Sequence, residues 1–203
     1  DEFSAALRER KIASGLFSMP SGSTFTRVAR WDGNSWGPLG NLTLIESLAS
    51  FNGELFAGTS KLPGGVVRWN GSTWAPVGGG VDGRVYGMYA HGGHLHVGGD
   101  FGRAGALAAN HVARWDGSSW ESLASGMDGT VYDSTELNGD LIVAGRFRGA
   151  GGLLSQGVVR WNGSAWSGFG GGFGGEAFAV AVLNDQLIAA GPGSDTEFNT
   201  ARV

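Results

Sequence analysis

The sequence predicts an all-β chain assembled from repeated units of four short antiparallel strands. Three observations carry that expectation. Glycine supplies 39 of the 203 residues, against roughly 7% of residues in an average protein. All eight tryptophans lie in one motif that occurs four times. A second apolar segment recurs ahead of every copy. The tryptophan motif reads VARWDGNSW, VVRWNGSTW, VARWDGSSW and VVRWNGSAW. Its first tryptophans are Trp31, Trp69, Trp115 and Trp161, and its second are Trp36, Trp74, Trp120 and Trp166. The first tryptophans stand 38, 46 and 46 residues apart. A repeat of this length signals a modular fold before any local reading.

The third unit shows the elements in order. Val85 to Ala90 alternates as a strand does, Gly92-Gly93 turns the chain, and Leu95 to Gly99 runs back. A Gly/Ala-rich loop then leads to Val112–Trp115, and Asp116-Gly117 joins that strand to Trp120–Leu123. Asn-Gly, Asp-Gly and Gly-Gly between apolar runs favour tight hairpins, because a type I′ turn needs positive φ at both central residues. The same first hairpin is expected at Asn52-Gly53, Asn138-Gly139 and Asn184-Asp185. No stretch carries sustained helical periodicity with caps. Aligned on their first strands, the units are 1–44, 45–84, 85–130, 131–176 and an incomplete 177–203, in which Thr200-Ala201-Arg202-Val203 matches Val28-Ala29-Arg30-Trp31. Four antiparallel strands per repeat predict the blades of a β-propeller, about five of them with the last incomplete. The expected closure is a five-membered ring, the alternative being part of a larger propeller.

Within the tryptophan hairpin, a two-residue Asp-Gly turn sets Trp115 opposite Ser118 and makes Trp115 and Trp120 diagonal neighbours. The opposite strand face carries arginine in every unit: Arg30, Arg68, Arg114, Arg160 and Arg202. Recurrence at one position favours a structural role, with each guanidinium crossing to the adjoining unit to meet a ring or carboxylate. At least six of the eight tryptophans are expected to be mostly buried where units pack.

These residues resemble kelch propeller repeats, in which a diglycine ends the second strand and an aromatic-Asp pair, a turn, a Trp and a Leu follow. Gly98-Gly99, Trp115-Asp116, Trp120 and Leu123 stand in that order, although the diglycine is whole in one unit only. A closer resemblance is to the ARWDGSSW-type repeats of large secreted and cell-surface proteins of bacteria and fungi. It implies an extracellular, cell-surface or periplasmic location and a noncatalytic role in protein–protein contact or scaffolding. It carries no active-site motif and implies no cofactor.

Composition narrows the function classes. With 14 Lys+Arg against 18 Asp+Glu, there is no basic footprint for nucleic acid. No apolar run approaches the ~20 residues of a membrane-spanning helix. Cysteine is absent, which removes disulfides, thiol catalysis and cysteine-bound metal. Gly78 to Gly83 spells GxGxxG, but no helix follows it. Neither a catalytic carboxylate pair nor an activated nucleophile stands out, so no catalytic residue is expected. His91, His94 and His96 fall on one face across the Gly92-Gly93 turn, a plausible zinc or copper spacing. Other units hold Phe51, Leu137 and Leu183 at the His91 position and Phe56, Ile142 and Ile188 at the His96 position. The expectation is that these histidines are satisfied by backbone or water and bind no metal. Asn41, Asn70 and Asn162 head glycosylation sequons. A noncatalytic interaction module is thus expected; the alternatives are a carbohydrate-binding propeller using exposed tryptophan faces and a hydrolase at a channel mouth.

Overall fold

The computed structural model describes residues 12–18, 25–60, 65–169 and 173–192. Among them every regular element is a strand. A first sheet comprises β1 (Ile12–Ser18), β2 (Phe25–Trp31) and β3 (Trp36–Pro38). The second is β4 (Ile45–Phe51), β5 (Glu54–Thr59), β6 (Val66–Trp69) and β7 (Trp74–Pro76). The third is β8 (Arg84–His91), β9 (His94–Asp100), β12 (Val112–Trp115) and β13 (Trp120–Ser122), with a small hairpin β10 (Arg103–Ala104) and β11 (Leu107–Ala108) between β9 and β12. The fourth repeats that plan with β14 (Thr130–Leu137), β15 (Asp140–Arg146), the hairpin β16 (Gly149–Ala150) and β17 (Leu153–Leu154), then β18 (Val158–Trp161) and β19 (Trp166–Gly168). A fifth pairs β20 (Ala179–Leu183) with β21 (Gln186–Ala190). All pairing is antiparallel, between consecutive strands except that β9 pairs β12 and β15 pairs β18 across the small hairpins between them. The first strand proposed at Asp1 and the fifth arginine motif at Arg202 lie outside the described residues.

The first hairpin of each unit turns as its sequence predicts. Asn52-Gly53, Gly92-Gly93, Asn138-Gly139 and Asn184-Asp185 all have positive φ at both positions, and the flanking residues pair directly, His91 with His94 and Leu137 with Asp140. The tryptophan hairpin differs. Trp115 pairs with Trp120, Arg114 with Glu121 and Ala113 with Ser122, so the loop spans four residues rather than two. The cause is the aspartate side chain. Asp116 Oδ1 accepts the N–H groups of Ser118 and Ser119 at 2.6 and 2.7 Å, and only Gly117 takes positive φ. Asn70 and Asn162 hold the same loop through the same oxygen. An Asx turn explains why Asp and Asn interchange there.

Successive sheets pack face to face, and each interface is its own core. Phe56, Val66, Val85, Val97 and Trp115 fill the space between the second and third sheets. Leu123, Val131, Leu141, Val143 and Trp161 fill the next, and Ile142, Val158, Val180 and Leu187 the one after. The first strands of neighbouring sheets lie side by side, β4 against β8, β8 against β14 and β14 against β20. Asp82 and Asp128, just ahead of β8 and β14, reach forward: each Oδ1 accepts two main-chain N–H groups at the entry to the following small hairpin, at 2.8–2.9 Å. Among the described residues the first and fifth sheets share no extensive contact, so a closed ring is not seen.

Candidate functional site

The tryptophans are the joints between sheets. In each motif the two rings face across the hairpin at centroid distances of 4.9–5.7 Å. The second ring leans onto the preceding unit and donates its indole N–H to a main-chain carbonyl there: Trp74 to Leu39 at 2.9 Å, Trp120 to Val77 at 3.1 Å and Trp166 to Leu123 at 3.0 Å. The residue after that carbonyl sits under the rings. At Gly78, whose φ is +55°, an added Cβ would lie 2.4 Å from Trp115 and 2.8 Å from Trp120. Glycine therefore serves twice here, in conformation and in room. Trp69, Trp115, Trp120, Trp161 and Trp166 are buried, and Trp31 and Trp74 are half-buried. Trp36 alone is open, at 40% exposure.

The repeated arginines do not cross between units as expected. Arg68 pairs with Glu54 at 3.0 Å, and Arg114 Nε donates to Glu121 at 2.6 Å. Arg160 donates to Ser167 at 2.9 Å and lies 5.9 Å from the centroid of the Phe169 ring. Every one of these partners belongs to the arginine's own unit. The register explains it: Arg114 stands directly opposite Glu121, and Arg160 opposite Ser167, so the nearest acceptor is on the adjoining strand. Arg30 is half-buried opposite Gly37.

The three histidines do meet. The His96 ring lies 5.8 Å from that of His91 and 6.2 Å from that of His94. His91 Nδ1 contacts Glu136 Oε2 at 3.1 Å, joining the third sheet to the fourth. His94 Nδ1 contacts the Gly92 carbonyl at 2.9 Å, and its Nε2 lies 3.8 Å from Glu121. His96 is 3% exposed, and its Nδ1 has no partner. Burial, reinforced by His91, His94 and Arg114, lowers its pKa to about 3, so the ring is neutral. His91 is satisfied, and the His96 ring bonds the His91 backbone while its Nδ1 is left without a partner. Among the described residues no group of three or more His, Asp or Glu side chains is placed so that it could hold a metal ion.

Sequence reasoning missed a second region. Each of β4, β8 and β14 carries a bulge, at Glu46, Tyr86 and Tyr132. Tyr86 packs edge-to-face on Tyr132 at 5.6 Å, and Tyr132 on Phe178 at 5.4 Å. Phe178 is 50% exposed. Arg84 bonds the Tyr86 side chain, which holds its guanidinium still more firmly charged. Asp133 accepts the Val180 N–H at 2.9 Å and so ties β14 to β20. A cleft of about 470 Å³ is lined by Arg146, Arg148, Gln156, Asp128 and Glu176 among others, Glu176 standing two residues before Phe178. The recurrence of aromatic residues one position after Val85, Val131 and Ala177 was the available signal. No protein-family model matches the chain, and no curated protein matches it significantly.

Proposed function

We propose that the chain consists of β-propeller blades forming a noncatalytic interaction module of an extracellular or cell-surface protein, with a protein as its partner. The face-to-face stacking of successive sheets with adjacent first strands supports the propeller reading. The observation that carries the functional reading is a division of labour among residues. The invariant positions are spent on structure: tryptophans on inter-sheet joints, Asp or Asn on loops, arginines on pairs within a sheet. Among the positions that differ from unit to unit, Tyr86, Tyr132 and Phe178 line up as an aromatic strip, half-buried at the tyrosines and open at Phe178. Aromatic and arginine side chains in one patch have the composition of protein-binding hot spots. With five tryptophans buried, two half-buried and Trp36 alone open, a tryptophan-based carbohydrate site has little support.

The test is a triple substitution of Tyr86, Tyr132 and Phe178 to serine, used in affinity capture from the native extracellular fraction with cross-linking. Capture of a defined protein by the parent and its loss in a variant that keeps its melting temperature support the reading. Saturable binding on a glycan array, lost in the same variant, would replace it with the carbohydrate one.

A further inference from the structure

We infer that the cleft between the fourth sheet and the entry to the fifth binds a carboxylate side chain on an extended acidic segment of the protein partner. This rests on the protein-partner reading above and names what such a partner must offer. Two guanidinium groups stand at the cleft, Arg146 at the end of β15 and Arg148 just beyond it. Both are exposed, and neither is satisfied. Arg148 engages only through its main-chain N–H, which donates to Asp128 Oδ1 at 2.8 Å; its guanidinium has no hydrogen bond or ion pair among the described residues. Arg146 Nε lies 3.8 Å from Glu176 Oε1, beyond hydrogen-bond reach. By contrast, Arg68, Arg114 and Arg160 each hold an acceptor at 3.0 Å or less. A planar guanidinium with free donors matches a carboxylate in a two-point fork.

The repeat shows that these groups are particular to this junction. Phe173 N–H bonds the Gln156 carbonyl as Met127 N–H bonds that of Asn110, which sets Gly175 in the place of Gly129. Arg146 and Arg148 stand where the third unit has Asp100 and Gly102. An added Cβ on Gly129 would strike the Arg146 carbonyl, whereas one on Gly174 or Gly175 would meet nothing within 4 Å. That wall is open where the preceding junction is closed, and the space of about 470 Å³ is the size of an ordinary ligand site. The rest of the lining selects the ligand. Phe147 is buried and gives an apolar floor, and the Gln156 amide can both donate and accept. Asp128 and Glu176 set two carboxylates beside the two guanidinium groups, in a chain of net charge −4. They repel a phosphate dianion or a sulfated polyanion more than a single carboxylate. The same oxygens accept main-chain N–H groups, which a peptide brings along with its acidic side chain.

The repeat itself supplies the variants. Arg148→Gly installs the residue of position 102, and Arg146→Ser that of position 60. Nitrogen-15-labelled protein is titrated with the blocked peptide Ac-Ser-Gly-Glu-Gly-Glu-Gly-Ser-NH₂, with its glutamine and phosphoserine analogues, and with a short heparin fragment. Backbone amide and arginine Nε–Hε resonances are followed by nuclear magnetic resonance. The expected result is saturable shifts at Arg146, Arg148, Gly174 and Gly175 with the glutamate peptide and none with the glutamine one. Each variant should weaken binding about tenfold, the loss of one charge-assisted contact. Both side chains are exposed, so the melting temperature should hold. Absence of saturable shifts at millimolar peptide, equal shifts with the glutamine analogue, or unchanged affinity in both variants overturns the inference. So does tighter binding of the phosphopeptide or the heparin fragment at the same residues. Affinity capture separates this inference from the reading beneath it. A protein captured equally by the parent and by Arg148→Gly overturns the cleft assignment alone. Peptide binding at the cleft without protein capture supports the carboxylate site and counts against the protein-partner reading.

Discussion

Replacing Trp120 by phenylalanine tests the inter-sheet joint directly. The ring is 6% exposed, stacked against Trp115 at 5.2 Å and bonded to the Val77 carbonyl. That carbonyl also accepts the Gly80 N–H at 2.7 Å, so losing the indole leaves it half-satisfied. The hydrogen-bond loss therefore falls near the low end of the usual range, about 1 kcal/mol. The missing part of the ring amounts to two or three methylene-sized groups at about 0.8 kcal/mol each. The sum is about 3 kcal/mol, or roughly 6–12 °C in a domain of this size. Trp36→Phe provides the contrast, because Trp36 is 40% exposed and should cost less than about 1 kcal/mol. Trp74, half-buried but bonded to Leu39, should fall between them. Urea and thermal unfolding followed by circular dichroism measure all three. If Trp36→Phe proved as costly as Trp120→Phe, the joints would not be where the stability resides.

Further outcomes follow from single residues. His96→Ile should stabilise the protein; the folded-state pKa of about 3 lies below the unfolded value, so the unfolded chain takes up the proton first and the variant's advantage grows as pH falls from about 6.5 toward 3. Equal pH profiles for the two proteins would refute this. Asp116→Asn should leave the melting temperature at neutral pH nearly unchanged, since Asn70 and Asn162 hold the same loop. The four donors around Asp116 depress its pKa, so its contribution is present above the unfolded value and lost in acid; melting curves at pH 7 and pH 3 should show the variant less acid-sensitive. Ala124 has φ +53° where Gly40 and Gly78 stand in other units, and Ala124→Gly should stabilise by roughly 0.5–1 kcal/mol in a denaturant titration, the relief of a left-handed alanine less the entropy glycine adds to the unfolded chain.

The strand order within units and the first hairpins were legible because their signals are local. Asn52-Gly53 and Gly92-Gly93 needed only the rule that a type I′ turn takes positive φ twice. The tryptophan hairpin misled because Asp116-Gly117 satisfies the same rule on paper while the aspartate side chain offers a competing loop. That choice moved the register and set Arg114 directly opposite Glu121, which pairs it within its own sheet; Arg68 instead turns to Glu54 on the other neighbouring strand. The proximity of His91, His94 and His96 was readable from hairpin geometry; the lone Nδ1 of His96 was not, since it depends on packing from a neighbouring strand. The aromatic strip joins residues of three units, Tyr86, Tyr132 and Phe178, and nothing within one unit announces it.

The joint between sheets recognises very little of its neighbour. An indole N–H needs a carbonyl, and every residue has one; the ring needs a small residue in a left-handed conformation, which glycine or Ala124 supplies. The forward reach of Asp82 and Asp128 likewise ends on main-chain N–H groups. Stacking one unit on the next therefore places few demands on side-chain identity outside the motif. Positions free of that demand can diverge without loosening the stack. The bulge position shows this divergence, holding Glu46, Tyr86, Tyr132 and Phe178 in turn. A repeat protein so built keeps its fold in the residues its units share, and its chemistry must be sought in the residues they do not.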